Sequence, residues 1–227
     1  MFHFEEGEVF LIDKPLDWTS FDAVNLIRSV IKRYHGIRKL KVGHAGTLDP
    51  LATGLLIICT GRMTKQIDNF QAQEKVYTGT MLLGQTTPTY DLESEPDAFY
   101  PTDNITEEMM EEARKSFLGD IMQRPPKFSA IKIQGKRAFE YARSDEEVAL
   151  KERLVHIEDF KIDTTDFPVI KFEVKCSKGT YIRSLVNDFG KRLNSGACMT
   201  SLRRTKIGDF SVDNARDLMH LKQEIID

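Results

Sequence analysis

The sequence predicts an α+β fold: a mixed, mostly antiparallel sheet flanked by helices. Three observations lead there. Ile170, Phe172, Val174 and Cys176 alternate with Lys171, Glu173, Lys175 and Ser177, the period-2 pattern of a strand with one buried face. Phe21, Val24, Ile27, Val30, Ile31 and Tyr34 recur at helical spacing. Strand and helix segments then mix without the regular βαβ rhythm of a parallel sheet. A chain of 227 residues suits one sizeable domain, 1–227, or a domain with a small appendage, with ample length for a buried core.

In chain order, Val9–Asp13 reads as a short strand running into Lys14-Pro15. Thr19-Ser20-Phe21-Asp22 resembles a capping box, with the acid three residues after the threonine, and Gly36 closes the helix it starts. A glycine-rich loop, Gly43–Gly54, leads into the apolar strand Leu55–Cys59. Arg62–Phe70 suits a short helix and Val76–Leu83 a strand. Asp91–Asn104 is rich in Pro, Asp and Glu with little periodicity, so it is expected as an exposed excursion. Thr106–Leu118 is a helix with acids in its first turn and Gly119 beyond its end. Lys127–Ile133 alternates apolar and basic residues before a turn at Gln134-Gly135, as an edge strand or an arm would. After the Ile170–Cys176 strand, a helix turns Ile182, Leu185, Val186, Phe189 and Leu193 inward. Cys198–Phe210 is expected as strand and Asp213–Ile226 as a closing helix.

The 32 basic and 35 acidic residues leave a net charge of −3, but the average hides blocks. Arg28, Lys32, Arg33, Arg38, Lys39 and Lys41 form a run without an acid. Asp91–Glu112 is wholly acidic among its charges. Arg124, Lys127, Lys132, Lys136, Arg137 and Arg143 are opposed only by Glu140, and Arg203-Arg204 with Lys206 follow near the C-terminus. Each block alone reads as a solvated face; together, interleaved with Tyr34, Phe128 and Tyr141, they suit a phosphate backbone. Hydrophobic residues at 41% and charged ones at 30% exclude a mainly disordered chain. No apolar run approaches the roughly 20 residues that cross a bilayer, and the N-terminus lacks a basic start and apolar stretch, so a cytoplasmic protein without a membrane partner is expected. Cys59, Cys176 and Cys198 are widely separated, which fits reduced core thiols.

No GxxxxGK[ST], GxGxxG, HExxH or GxSxG motif is present, and the five histidines lack metal-ligand spacing, so chemistry without metal or organic cofactor is expected. The unusual stretch is Gly43-His44-Ala45-Gly46-Thr47-Leu48-Asp49-Pro50-Leu51-Ala52-Thr53-Gly54. Its three glycines and two alanines let another backbone come close. Asp49, before proline and beside an apolar run, sits where a polar loop meets the core. A carboxylate there serves as nucleophile or base, or as a turn residue capping backbone amides.

This stretch resembles the catalytic signature of the TruB branch of pseudouridine synthases, the tRNA pseudouridine-55 synthases. Lys14-Pro15 with Thr19-Ser20, Val76-Tyr77, Leu83–Thr87, Arg124–Ala130, Lys132 with Gly135–Ala138, Cys176–Leu185 and Leu202–Thr205 agree in order, so the likeness spans nearly the whole chain. It implies that uracil is detached from C1′ of an everted uridine, turned, and rejoined through C5, with Asp49 as nucleophile. Arg183 matches the arginine partner that keeps the acid ionised, and Tyr77 the active-site tyrosine that offers an aromatic face or moves a proton. His44, Tyr181 and Leu202 match positions that contact RNA or base; Asp91 falls where a further active-site acid stands, and Lys14 and Arg137 complete the expected substrate contacts. Without the family, Arg183 reads as a surface arginine, Tyr77 as a core strand tyrosine and His44 as a turn histidine.

The resemblance further implies a basic RNA-clamping insertion at about 124–148 that orders on binding and the T arm of tRNA as partner; nothing in the sequence asks for more than a monomer. Two departures stand out. Asp17 replaces the glycine of the Lys-Pro-x-Gly-x-Thr-Ser pattern, and the chain stops about twenty residues after the Leu202 block, leaving no sequence for a C-terminal domain of the PUA type. An RNA-docking module without catalysis and an aspartate-nucleophile hydrolase are the rivals. The joint presence of Asp49, Tyr77 and Arg183 counts against the first, and leucine rather than an acid at Leu51 against the second.

Overall fold

A computed structural model describes residues 2–129, 131–133, 135–144 and 150–227. Ala130, and the 145–148 end of the expected insertion, lie outside the described residues. The chain divides into two compact units: 1–78 with 202–227, and 79–201.

The first unit begins with β1 (Val9–Lys14) and α1 (Ser20–His35). Thr19 caps α1 as the sequence predicts: its hydroxyl accepts from Asp22 N at 3.0 Å and the Asp22 carboxylate accepts from Thr19 N at 3.0 Å. Gly36 ends the helix in left-handed backbone at φ 70°. Phe21 and Tyr34, which share the helical spacing of the apolar residues, are 60% and 49% exposed. Ser20, four residues before Val24 and seven before Ile27, takes the inward seam of the first turn, which leaves Phe21 on the flank. β2 (Val42–His44) and β3 (Ala52–Thr60) shorten the expected glycine-rich loop to 45–51, because both of its ends join the sheet. Gly61–Gln66 is a 3-10 turn leading into α2 (Ile67–Ala72), so the expected helix at 62–70 starts tighter and ends later.

β4 (Lys75–Leu83) carries the chain into the second unit, followed by the short β5 (Gln85–Thr86) and β6 (Ala98–Phe99). The acidic excursion is exposed over most of 92–100, but Asp91 at its head is buried, which corrects the sequence reading. Next come α3 (Glu107–Lys115), β7 (Gly119–Gln123), β8 (Lys132–Ile133), β9 (Lys136–Arg137) and α4 (Ala138–Arg143). The expected strand at 127–133 thus narrows to two residues paired with β9. β10 (Arg153–Asp163), an eleven-residue strand the periodicity does not announce, pairs antiparallel with β7 and with β11 (Val169–Cys176). The register shift between Ile157 and Asp159 explains the silence: a bulge puts Val155 and Ile157 on one parity and buried Phe160 on the other. α5 (Ile182–Arg192) then packs Phe189 against Phe160 and Phe117, ring centroids 6.0 and 6.4 Å apart.

β12 (Ala197–Ile207) returns the chain to the first unit; Gly208-Asp209 turns it back into β13 (Phe210–Ser211), so the expected strand to Phe210 is a hairpin. β14 (Arg216–Asp217) and α6 (Leu218–Ile226) close the chain, with Asp217 capping the shorter final helix.

In the first unit β3 is central. It pairs antiparallel with β1 and β2, and parallel with β12 through Leu202 opposite Ala52. Leu56 and Ile58 join Ile27, Ile31, Leu221 and Ile225 beneath the helices, while Leu55, Ile57 and Cys59 join Ile207 with Ile67 and Phe70 on the other face. Burial on both faces explains why Leu55–Cys59 is a continuous apolar run rather than an alternating one. In the second unit the order is β4, β11, β10, β7. With its parallel pairs β1–β14 and β3–β12 among antiparallel ones, the sheet is mixed, and the α+β expectation holds. All three cysteines are buried and free.

Candidate active site

Asp49 lies half-buried in the 45–51 loop, and the loop is tied down on both sides of it. On one side Leu48 N donates to Ser20 Oγ at 2.8 Å, and that hydroxyl donates to Leu48 O at 3.3 Å. On the other, Asp17 N donates to Pro50 O at 3.0 Å. Asp17 sits in left-handed backbone at φ 63°, the conformation glycine ordinarily serves, so the departure from the family pattern is tolerated. Lys14, at the end of β1 and fully buried, donates from Nζ to Pro15 O at 2.8 Å, to Trp18 O and to Pro50 O at 3.4 Å. Its ammonium therefore braces the loop one residue from Asp49. Burial pulls the Lys14 pKa down to about 8, opposed chiefly by attraction to the Asp49 carboxylate.

Arg204, buried on β12, braces the loop's other end. Its Nε donates to Leu55 O at 2.8 Å and its Nη2 to Gly46 O at 3.1 Å. Sequence reasoning grouped Arg204 with a basic cluster and missed this role. The available signal was parity: on a strand, Arg204 shares the face of Leu202, the inward one. His44, at the end of β2, is held below its usual pKa by burial and by the nearby Arg204 charge. Among the described residues its buried Nδ1 has no hydrogen-bond partner. Tyr77 on β4 and Leu202 on β12 are largely buried in the same unit.

In the second unit, Arg183 stands in the first turn of α5 and is 5% exposed, not a surface arginine. Its Nη1 donates to Thr89 O and its Nη2 to Phe128 O, both at 3.0 Å. Asp91 faces it there, with Oδ2 3.5 Å from Arg183 Nε and a side chain 2% exposed. Tyr90, in left-handed backbone at φ 65°, turns the chain so that Asp91 enters the interior. The Thr87 and Thr89 hydroxyls hold the Asp91 carbonyl at 2.7 and 3.3 Å. Tyr181 is the N-cap residue of α5, with the Arg153 guanidinium 5.7 Å over its ring. Arg137 contributes backbone to β9; its side chain lies outside the described part.

Of the residues read from sequence, then, Lys14, His44 and Asp49 gather around one braced loop of the first unit, which also contains Tyr77 and Leu202. Arg183, Asp91 and Tyr181 gather at the start of α5 in the second. A carboxylate on a rigid, partly buried loop near a buried ammonium is suited to nucleophilic work, since it neither needs reorganising nor pays the full cost of an isolated buried charge. Among the described residues no group of His, Cys, Asp and Glu could hold a metal ion.

A family model described as "TruB family pseudouridylate synthase (N terminal domain)" matches residues 32–182, and one described as "tRNA pseudouridylate synthase B C-terminal domain" matches 183–227. A Parabacteroides distasonis protein named tRNA pseudouridine synthase B is 55% identical over 210 residues, 92% of this chain and 89% of its own. A Flavobacterium johnsoniae protein of the same name is 53% identical over 221 residues, 97% and 96% of the two chains. Among solved structures, one titled "Crystal Structure of a Cbf5-Nop10-Gar1 Complex" superposes with a TM-score of 0.71 at 27% identity, covering 97% of this chain and 55% of that one. The chain thus spans about half the length of that structural relative but nearly all of the sequence relatives. Identity above one half along almost the full length, with the braced Asp49 loop inside the matched region, places this chain in the TruB family of pseudouridylate synthases.

Proposed function

We propose that the chain is an isomerase that converts uridine 55 in the T arm of tRNA to pseudouridine, with Asp49 as nucleophile. The relatives' names attribute pseudouridine formation in tRNA to those proteins, and the isomerase class follows from the family. The observation that carries the reading is the bracing of the Asp49 loop by Ser20, Asp17, Lys14 and Arg204. A braced loop holds a carboxylate in attack geometry without the entropy of searching for it.

In this reading the Asp49 carboxylate bonds to C1′ of an everted uridine as the N1–C1′ bond breaks, the uracil turns, and C5 attacks C1′ and displaces the carboxylate; the C5 proton then leaves and N1 is protonated. Tyr77 offers a ring face to the base and a hydroxyl that relays the C5 proton, releasing its own proton to solvent as it takes the new one. Arg183 supplies a permanent positive charge for the reacting groups, and Asp91 orients its guanidinium. His44, Tyr181 and Leu202 contact base and RNA. The basic segment 124–148 supplies phosphate contacts, which set affinity rather than sequence choice. The protein acts in the cytoplasm as a monomer, with 1–227 working as one catalytic domain that needs no cofactor.

The test is Asp49→Asn with an unmodified tRNA transcript carrying 5-tritiated uridine. Tritium release is expected to vanish while tRNA affinity stays near wild type. Unchanged release refutes Asp49 as the nucleophile. A wild-type protein that binds tRNA but releases no tritium makes this a non-catalytic RNA-binding module instead.

A further inference from the structure

The first turn of α5 holds more than its own helix. Its N-cap residue, Tyr181, has no side-chain cap, yet the backbone there is satisfied from β7. Gln123, almost fully buried, accepts from Tyr181 N with Oε1 at 2.8 Å and donates from Nε2 to Tyr181 O at 3.1 Å. Two residues on, Arg183 Nη2 donates to Phe128 O at 3.0 Å, and Ser184 Oγ donates to Arg124 O at 2.8 Å. Residues 123, 124 and 128, where the basic segment leaves the sheet, are thus fastened to 181, 183 and 184. The same guanidinium that holds Phe128 also holds Thr89 and faces Asp91.

We propose that Gln123 and Ser184 are positioning residues that mount the root of the basic RNA-binding segment and the Arg183 guanidinium on one helical turn, so that neither moves without the other. This inference rests on the proposed synthase activity and adds residues to it. Its physical ground is that Gln123, from a different strand, holds both the N–H and the carbonyl of the α5 N-cap residue. Ser184 fixes the adjoining backbone with a single hydroxyl. Neither residue is placed in contact with substrate.

Ser184→Ala is the mild test, since alanine favours helix and only one hydroxyl is lost. Its single-turnover tritium release is expected to fall about tenfold, as small displacements of a positioned group do, while tRNA affinity changes less than about twofold. Gln123→Leu should fall further, and the double variant by less than the product of the two losses, because both act through one mount. Hydrogen exchange reads the mount without any reaction: in Ser184→Ala, amides of 124–129 and of 181–185 should exchange faster together. Wild-type rates in Ser184→Ala, or faster exchange in only one of the two segments, overturns the inference. So do rate losses that merely follow lowered melting temperatures. If wild-type protein proves inactive while the two segments still loosen together, the activity reading fails and the mount stands.

Discussion

A buried lysine that faces three carbonyls is an expensive way to hold a loop, and Lys14 makes that cost measurable. Its pKa lies near 8, well below the 10.5 of an exposed lysine, because burial disfavours the ammonium more than Asp49 favours it. The sign follows directly. Between about pH 8 and 10.5 the unfolded chain binds a proton at this residue that the folded chain has released, so folding stability rises with pH across that window. Relative to Lys14→Met, which has no proton to lose, wild-type stability should climb by up to about 1.4 kcal/mol per pH unit. Urea midpoints of both proteins from neutral to alkaline pH check this, and parallel curves would rule it out. Asp49 was legible in the sequence because glycine, proline and an adjacent apolar run mark a loop entering a core. The company it keeps was not, since Lys14, Ser20 and Arg204 are 35, 29 and 155 positions away and meet it only through the sheet. Asp91 was misread for a related reason. Its neighbours in sequence are acidic and exposed, while its burial is decided by Arg183 and by the turn at Tyr90.

At the scale of elements, Gly54 shows why small residues fill the signature. It adopts φ 101° on β3, and a Cβ there would lie 2.3 Å from the Arg204 carbonyl oxygen of the paired strand β12. Gly54→Ala therefore combines a left-handed backbone penalty with a main-chain clash that no rotamer relieves. A loss of about 3 kcal/mol or more is expected, lowering the melting temperature by on the order of 10 °C. A variant that melts within a few degrees of wild type would contradict the close approach. Elements with strong local signals were legible: the Thr19 capping box, the Gly36 stop and the alternating β11 all appear where periodicity places them. Those set by distant partners were not. β10 is masked by its bulge, and Phe21 follows the local helical pattern yet faces outward because Ser20 is needed on the seam that meets Leu48.

At the scale of the whole molecule, charge is segregated in a chain whose net charge is only −3. Exposed Lys127 and Lys136 belong to the basic segment, and on the proposed reading they neutralise phosphates. Replacing both with glutamine should flatten the dependence of log affinity on log salt by about 0.9 per lost duplex phosphate contact, or about 0.7 per single-stranded one. Asp49→Asn should leave that slope unaltered. Filter binding of tRNA across a salt series measures both, and an unchanged slope in the lysine variant would remove these residues from the interface. The sequence by itself determined the α+β class, the position of the Asp49 loop and membership of a family, because periodicity, glycine placement and ordered motifs are local properties that survive in a string of letters. Only the tertiary structure decided which cations brace that loop, that Arg183 and Asp91 are buried side by side, and that the basic segment is rooted on the turn carrying Arg183. Those facts depend on strand pairing and packing between residues far apart in the chain, where local propensity carries no information and burial sets the energy of every charge.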